Sequence, residues 1–220
     1  MKDRDKILEL FSNCIFDELT DENFRENILT ELKEDYSDYE CGATKLVLWF
    51  TSLPNYVIKI PFSGHILGEY DERTSRWSDT YIPFNGASAK GDWNYCEKEV
   101  SLYKKAKEKN VNMFFLETIL VGEIDNYPIY MQKMCETYYD KEHEDLSYDE
   151  VDYTITLCKD AGVTPLKDNW VFDAIQYYGL LKVKEFLKFL HNNKINDLHS
   201  SNLGYYKDQP IIIDYAGYDY

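Results

Sequence analysis

"INDLHSSNLGYYKDQPIIIDYAGYDY", residues 195–220, is the most informative stretch of the chain. Asp197 precedes Asn202 by five positions, a β-like hairpin follows, and Asp214 comes directly after three isoleucines. Carboxylate and amide oxygens are the ligands that hard cations such as Mg²⁺ prefer. A carboxylate at the inner end of a short buried strand is well placed to hold such an ion. The stretch therefore predicts a site for metal and phosphate.

Each of these residues also has a simpler interpretation. Asp and Asn both favour ordinary turns, so Asp197 and Asn202 are also compatible with plain turn chemistry. Asp214 is also compatible with an acidic residue that only ends a strand. His199, between them, either takes part in catalysis or braces the loop, and bracing is the simpler alternative.

The composition limits the partners of the protein. It has 24 basic and 40 acidic residues, for a net charge of −16. Binding to nucleic acid needs a basic footprint, so nucleic acid is not an expected partner. A local pocket can still oppose the global sign and bind a nucleotide. The acidic surface is either simply solvated or docks onto a basic protein face.

The remaining composition predicts an ordered protein of a reducing intracellular compartment. The 44% content of hydrophobic residues excludes bulk disorder, and no stretch approaches the 18 apolar residues of a membrane span. The cysteines are far apart and form no CxxC pair, which predicts buried small hydrophobes in a reducing compartment. Without a recognisable signal peptide, the expected location is cytoplasmic. These cysteines are Cys14, Cys41, Cys96, Cys135 and Cys158.

Residues 1–35 are predicted to form a helical extension. Apolar residues at helical spacing predict one helix over residues 5–19 and a second over residues 20–35. Thr20 or Asp21 is the expected N-cap of the second helix. Neither helix carries an obvious chemical group, so both are interpreted as an extension that either packs on the rest of the chain or binds a partner.

The next part of the chain has the pattern of strands. Residues 40–62 predict strand, turn and strand, with the turn at residues 52–55. Residues 62–91 predict a long connection with a short hairpin around TYIPF, residues 80–84. An N-capped amphipathic helix is predicted from Asp92.

The pattern then changes from strands to helices. A hairpin turned at Asp125 and Asn126 is predicted over residues 113–134. Two helices follow, over residues 148–161 and residues 170–192. Strands before helices predict an α+β fold with a sheet lobe and a helical lobe. The boundary is expected at residues 133–137.

Two charged residues stand out in the sheet lobe. Lys59 is a lone cation in the apolar strand YVIKIPF, on the same face as Val57. A lysine that points inward needs an anionic partner, whereas an exposed edge-strand lysine needs none. Glu99 on the following helix is the predicted partner, with Glu97 as the competing candidate and a solvated glutamate as the simpler alternative.

The order of these segments resembles that of the protein kinase-like superfamily. "YVIK" (56–59) resembles the third-strand lysine motif, "EVSLY" (99–103) the partner helix and "YMQKM" (130–134) the adenine hinge. "DLHSSN" (197–202) is similar to the catalytic loop of aminoglycoside-phosphotransferase-like and atypical kinases. "IIIDYAG" (211–217) resembles the Asp-Phe-Gly motif. The likeness covers residues 36–220 and implies a two-lobed fold, with an N-lobe at residues 36–134 and a reduced C-lobe at residues 135–220.

The resemblance implies roles around the phosphates. Lys59 would contact the α- and β-phosphates, and Glu99 would fix Lys59. Backbone donors of Gly42, Ala43 and Thr44 would approach phosphate, although only one glycine is present in "CGATK".

It also implies the adenine and metal contacts. Met131 would be the gatekeeper, and backbone groups of Gln132 and Met134 would meet the base. In the catalytic loop, Asp197 would accept the proton of the substrate hydroxyl. Mg²⁺ would be held by Asn202 and Asp214.

Two departures from the family pattern shape the expected function. Ile195 and Asn196 replace the usual His-Arg pair, and the sequence ends three residues after Gly217, before any activation segment or substrate-docking helix. The expected function is an ATP- and Mg²⁺-dependent phosphotransferase, a minimal Ser/Thr protein kinase that acts on a protein substrate or on itself. The alternative is a kinase-like protein that binds and inhibits a protein partner. A small-molecule kinase is disfavoured, and the sequence does not indicate an oligomeric state.

Overall fold

The computed structural model of the chain describes residues 2–14, 24–32, 36–41, 44–61, 64–71, 73, 76–83 and 94–216. The described residues form an α+β protein, in agreement with the expected class. They fall into two compact units, residues 1–98 with 118–133 and residues 99–117 with 134–220.

The first unit is built on antiparallel strands. Five of them form one sheet in the order β1-β2-β3-β7-β6, and two more form a separate hairpin. The strands are β1 (Asp38–Cys41), β2 (Lys45–Trp49), β3 (Tyr56–Pro61), β4 (Gly64–Asp71), β5 (Arg76–Pro83), β6 (Ile119–Ile124) and β7 (Tyr127–Lys133).

The strand prediction before the first turn is corrected by the structure. One strand was expected there, but β1 and β2 form an antiparallel pair in which Cys41 faces Leu46. The predicted turn after β2 is confirmed by two main-chain hydrogen bonds. The Leu53 N–H donates to the Phe50 carbonyl, and the Tyr56 N–H donates to the Leu53 carbonyl.

The hairpin of β6 and β7 is confirmed. Its turn residues Asp125 and Asn126 have φ angles of 50° and 66°. Both values are typical of the type I′ turns that match the twist of paired strands. In contrast, the connection at residues 62–91 is more ordered than expected, because β4 and β5 pair over their full length from Gly64–Pro83 to Asp71–Arg76.

The N-terminal helices pack against the sheet. They are α1 (Lys2–Leu10) and α2 (Phe24–Leu32), and Ile7, Phe11, Ile28 and Leu32 share a buried cluster with Leu46, Leu48, Ile58 and Ile60 of the strands. The packing interpretation is therefore confirmed. The first helix ends at Leu10 and not near residue 19, and the predicted caps Thr20 and Asp21 lie outside the described residues.

Helix α3 (Tyr95–Glu108) begins later than predicted. The Asn94 side chain accepts a 3.0 Å hydrogen bond from the Glu97 N–H, which makes Asn94 the N-cap. Asp92, the expected start, lies outside the described residues. The helix passes from the first unit to the second at residues 98–99.

In the described residues, the second unit combines the rest of α3 and three further helices with a small sheet. Its further helices are α4 (Tyr148–Asp160), α5 (Asp168–Tyr178) and α6 (Leu180–Asn192), and its sheet has the order β10-β9-β8. The strands are β8 (Glu136–Thr137), β9 (Leu203–Tyr206) and β10 (Gln209–Ile212).

The long helix predicted over residues 170–192 is two helices. Gly179 has a φ of 84°, a left-handed value that a helix cannot continue, and its N–H closes α5 on the Ile175 carbonyl. The helix predicted over residues 148–161 is confirmed as α4. It starts with reciprocal bonds between Ser147 and Glu150.

The cysteine prediction holds for three of the described side chains. Cys14, Cys96 and Cys158 are buried, whereas Cys135 is half-buried. The side chain of Cys41 lies outside the described part. No helix in the described ranges is both long enough and apolar enough to cross a bilayer.

Candidate functional site

Lys59 lies in the middle of the five-stranded sheet. β3 has β2 on one side and β7 on the other, and Lys59 is only 2% exposed. The alternative of an exposed edge-strand lysine is therefore wrong. A buried ammonium is stable only beside polar or negative groups, because it loses its hydration.

Tyr130 shares the sheet face of Lys59. The two residues are directly paired across β3 and β7, and paired residues of an antiparallel ladder project to the same face. The Tyr130 hydroxyl accepts a 2.8 Å hydrogen bond from Asn94 Nδ2 and donates a 3.2 Å bond to Glu97 Oε2. Burial raises the pKa of the Tyr130 phenol and the nearby Glu97 charge raises it further, so the hydroxyl stays protonated.

Asn94 connects this sheet face to the first turn of α3. It is 3% exposed. Its Oδ1 caps the helix at Glu97, while its Nδ2 binds Tyr130. One buried amide therefore fixes the start of α3 relative to β7.

The two glutamates considered as partners of Lys59 have different surroundings. Glu97 is half-buried and belongs to the hydrogen-bond network of Tyr130. Glu99 is fully buried, at 0% exposure, in the part of α3 that belongs to the second unit. The solvated alternative is therefore wrong for Glu99, and its pairing with Lys59 stays a prediction.

The predicted gatekeeper needs a correction. Met131 is paired with Ile58 and packs in the apolar cluster that contains Ile7 of α1. Gln132, paired with Val57, lies on the face of Lys59 because side chains alternate along a strand. Gln132, not Met131, therefore presents its side chain on the Lys59 face of β7.

The structure describes part of the segments that were predicted to contact adenine and phosphate. Met134 follows β7 and is 44% exposed. Gln132 is buried, and its Nε2 donates a 3.2 Å bond to Thr118 Oγ1. Thr44 is buried just before β2, whereas Gly42 and Ala43 lie outside the described residues.

The second unit contains the predicted catalytic loop. Asn202 is buried, and its Nδ2 donates a 2.6 Å hydrogen bond to the Asp197 carbonyl. Asp197 is half-buried, with 39% of its side chain exposed. The bond closes the six-residue loop 197–202 and occupies the amide nitrogen of Asn202, so its Oδ1 is the atom that can bind a cation.

Asp214 lies beside this loop. The Ile213 N–H donates a 2.8 Å bond to the Asn202 carbonyl and so extends the pairing of β9 with β10 by one step. On the other side, Tyr215 is buried and its hydroxyl donates to the Leu116 carbonyl at 3.1 Å. Asp214 is therefore held between two anchored neighbours, half-buried at the end of the hairpin.

Tyr139 contacts the loop from outside, and His199 lies within it. Tyr139, in a 3₁₀ turn after β8, forms a short hydrogen bond with the Ser200 hydroxyl. His199 Nε2 lies 3.9 Å from Asp197 Oδ1, too far for a hydrogen bond.

The donor set suits a cation that arrives with phosphate. Among the described residues, no group of three or more His, Cys, Asp or Glu side chains could hold a metal ion. Mg²⁺ in phosphoryl-transfer sites needs only one or two protein ligands, because water and substrate phosphates complete its shell. Asn202 Oδ1 and the Asp214 carboxylate are compatible with that requirement.

Sequence reasoning missed the residues that hold these groups in place. Asn94 followed by Glu97 is the spacing of a helix cap, and this signal could have replaced Asp92. The bond between Tyr139 and Ser200 joins residues 61 positions apart, and no local pattern indicates it.

Comparison of the chain with protein-family models, curated proteins and solved structures gives no match. The functional proposal therefore depends on the chemistry of the residues themselves.

Proposed function

We propose that this protein is an ATP- and Mg²⁺-dependent phosphotransferase that acts on hydroxyl groups of a protein, as a minimal Ser/Thr kinase. The observation that carries the proposal is the double link of Asn202, through its side chain to Asp197 and through its carbonyl to Ile213. This arrangement supports the proposal because it links the main chain at Asp197, the proposed proton acceptor, to the strand end before Asp214, which together with Asn202 is a proposed ligand of Mg²⁺.

The proposed reaction assigns one task to each polar group. Asp197 takes the proton of the acceptor hydroxyl, whose oxygen forms a bond to the γ-phosphorus of ATP. The bond from that phosphorus to the β,γ-bridging oxygen breaks, and ADP leaves with the electron pair. Asn202 and Asp214 hold Mg²⁺, which neutralises phosphate charge. Lys59 binds non-bridging phosphate oxygens.

The adenine contacts are assigned to the end of β7. Main-chain groups of residues 132–134 bind the base, and Gln132 replaces Met131 as the side chain nearest to it. The burial of Lys59 and its shared face with Gln132 support this assignment. Positioning and charge neutralisation supply most of the catalysis in phosphoryl transfer, so a small set of groups is sufficient.

Label transfer from γ-labelled ATP with Mg²⁺ tests the proposal. The wild-type protein should label itself or a protein in a host lysate, and Asp197→Asn should abolish this label. Asp208→Asn, in the turn between β9 and β10, is the matched control and should retain it. Equal labelling by the wild type and Asp197→Asn would reject the proposed chemistry.

Thermal unfolding tests nucleotide binding separately from turnover. ATP with Mg²⁺ should stabilise the wild type by about 2.7 kcal/mol at 100 times Kd. In Asp214→Asn, the effect of ATP should no longer depend on Mg²⁺. Stabilisation that is identical in the wild type and this variant would contradict the metal assignment.

A binding protein without turnover is the second candidate. The net charge of −16 favours it, since an acidic surface complements a basic partner. A partner captured equally by the wild type, Lys59→Ala and Asp214→Ala, with no label transfer, would support this function over the enzyme.

A further inference from the structure

A pocket of about 490 Å³ lies in the second unit and is lined by the carboxyl-terminal end of α3 and by the second half of α6. Its volume falls within the range of small-molecule sites. Val111 and Phe189 line it and are 1% and 5% exposed. The charged residues of its lining are Lys105, Glu108, Lys109, Glu185 and Lys188. None of these residues takes part in the proposed phosphotransfer.

The three lysines of the pocket are exposed and pair with no carboxylate of the described residues. Within the described ranges, the ammonium groups of Lys105, Lys109 and Lys188 form no hydrogen bond or ion pair. Glu185, in contrast, is bound at 2.6 Å by Lys182, which does not line the pocket. Glu108 is the other acidic residue of the lining, so the pocket carries excess positive charge.

This local charge opposes that of the protein as a whole. With 40 acidic and 24 basic residues, a lysine of this chain has many possible carboxylate partners. Lys107, which does not line the pocket, has such a partner, because its Nζ lies 3.3 Å from Glu117 Oε1. Local positive potential in an acidic protein favours an anionic ligand at that place.

The lysines are not needed to cap the two helices. Basic residues near helix ends commonly interact with free carbonyls. Here main-chain donors occupy those carbonyls. In α3, the Lys109 N–H donates to the Lys105 carbonyl and the Val111 N–H donates to the Ala106 carbonyl. At the end of α6, the Ile195 N–H binds the Leu190 carbonyl. The ammonium groups therefore remain available to a ligand.

We propose that this pocket binds a small anionic amphiphile, a carboxylate carried on a short alkyl chain or ring. The apolar body contacts Val111 and Phe189, and the carboxylate lies among the three lysines. Burial of apolar surface favours binding, and the lysines select the charge. The inference is independent of the phosphotransferase proposal, since it uses none of the same residues.

Calorimetric titration of the full chain with octanoate tests the proposal. Three comparison ligands are used. Octanol lacks the charge, acetate lacks the alkyl chain, and octylammonium carries the opposite charge. Octanoate should bind at least about tenfold more tightly than each, a difference of about 1.4 kcal/mol. Equal binding of octanol, or no binding of octanoate, would overturn the proposal.

A pair of double variants separates the pocket from the net charge. Lys105→Glu with Lys188→Glu reverses two charges in the pocket and should weaken octanoate binding by about tenfold or more. Lys104→Glu with Lys184→Glu makes the same charge change on the same helices, at exposed positions outside the pocket. Equal weakening by both pairs would show a general charge effect and reject the site.

One more variant tests whether octanoate binds at the proposed nucleotide site instead of the pocket. Asp214→Asn should bind octanoate like the wild type, whether or not it still responds to Mg²⁺ and ATP. Loss of octanoate binding in Asp214→Asn would place the ligand elsewhere and overturn the pocket assignment.

Discussion

Asn202 Nδ2 donates a 2.6 Å hydrogen bond to the main-chain carbonyl of Asp197. Through this bond, the amide side chain closes the loop that carries the proposed proton acceptor. The same residue accepts a bond from Ile213 through its carbonyl. Asn202 is thus the residue that connects Asp197 to the strand end before Asp214.

Asn202→Ala should reduce stability and also remove the Mg²⁺-dependent effect of ATP. Loss of a buried side-chain bond to a carbonyl should cost about 1–3 kcal/mol in the free energy of unfolding, measured by urea denaturation. Asn193→Ala is the control, because Asn193 Nδ2 makes the same type of bond, to Phe189, at 2.9 Å. A normal response to Mg²⁺ and ATP in Asn202→Ala would contradict its role as a ligand.

Tyr130→Phe should loosen the start of α3. The variant removes the hydroxyl that Asn94 and Glu97 bind. A double-mutant cycle with Asn94→Ala should give a coupling of about 0.5–1.5 kcal/mol. Amide hydrogens of residues 97–100 should exchange faster in Tyr130→Phe.

The control for this prediction is Tyr56→Phe, on the other face of β3. It should leave exchange at α3 unchanged. Additive effects of Tyr130→Phe and Asn94→Ala, with unchanged exchange, would show that the hydroxyl does not hold the helix.

Gly204→Ala should be strongly destabilising. A Cβ at Gly204 would lie 2.4 Å from the Glu136 carbonyl oxygen and 2.6 Å from Ile213 Cδ1. Main-chain atoms cannot move aside easily, so we expect a loss of about 1–3 kcal/mol or more. Thermal unfolding measures it.

Gly122→Ala provides the comparison for that substitution. Its Cβ would meet only the Leu8 side chain, at 3.0 Å, and a side chain can rotate away. A smaller loss is expected. If Gly122→Ala proved as costly as Gly204→Ala, the close packing of β9 against β8 would not be the cause.

Stability should fall as pH rises above about 10, the ordinary pKa of tyrosine. Burial raises the pKa of Tyr130, Tyr178 and Tyr205 in the folded protein. Above pH 10 the unfolded chain loses these protons first, so the free energy of unfolding decreases with pH, whereas below pH 10 the contribution is complete. Urea denaturation from pH 8 to 11 measures the slope.

Replacement of one buried tyrosine should reduce this slope. Tyr205→Phe removes a hydroxyl that donates a 2.7 Å bond to Asp173, so the variant should be less stable at pH 8 but less sensitive to alkali. Tyr148→Phe, at an exposed position, should change neither quantity. An unchanged slope in Tyr205→Phe would contradict its raised pKa.

Local signals in the sequence located several elements correctly. The turn at Asp125 and Asn126 and the start of α4 near Ser147 depend on a few neighbouring residues, and the structure has both. The break at Gly179 was missed because the apolar spacing continues on both sides of it. The spacing reports which face is buried, whereas the backbone angle of a single glycine decides where the helix ends.

The sequence by itself determined that Lys59 shares a strand face with Val57, and that Asp197 and Asn202 come before a short apolar strand that ends at Asp214. It could do so because strand alternation and loop chemistry are properties of adjacent residues. Only the tertiary structure decided that Lys59 is buried, that Gln132 and not Met131 lies on its face, and that Asn202 closes the loop at Asp197. These facts depend on strand register and on contacts between distant segments, which no short stretch of sequence fixes.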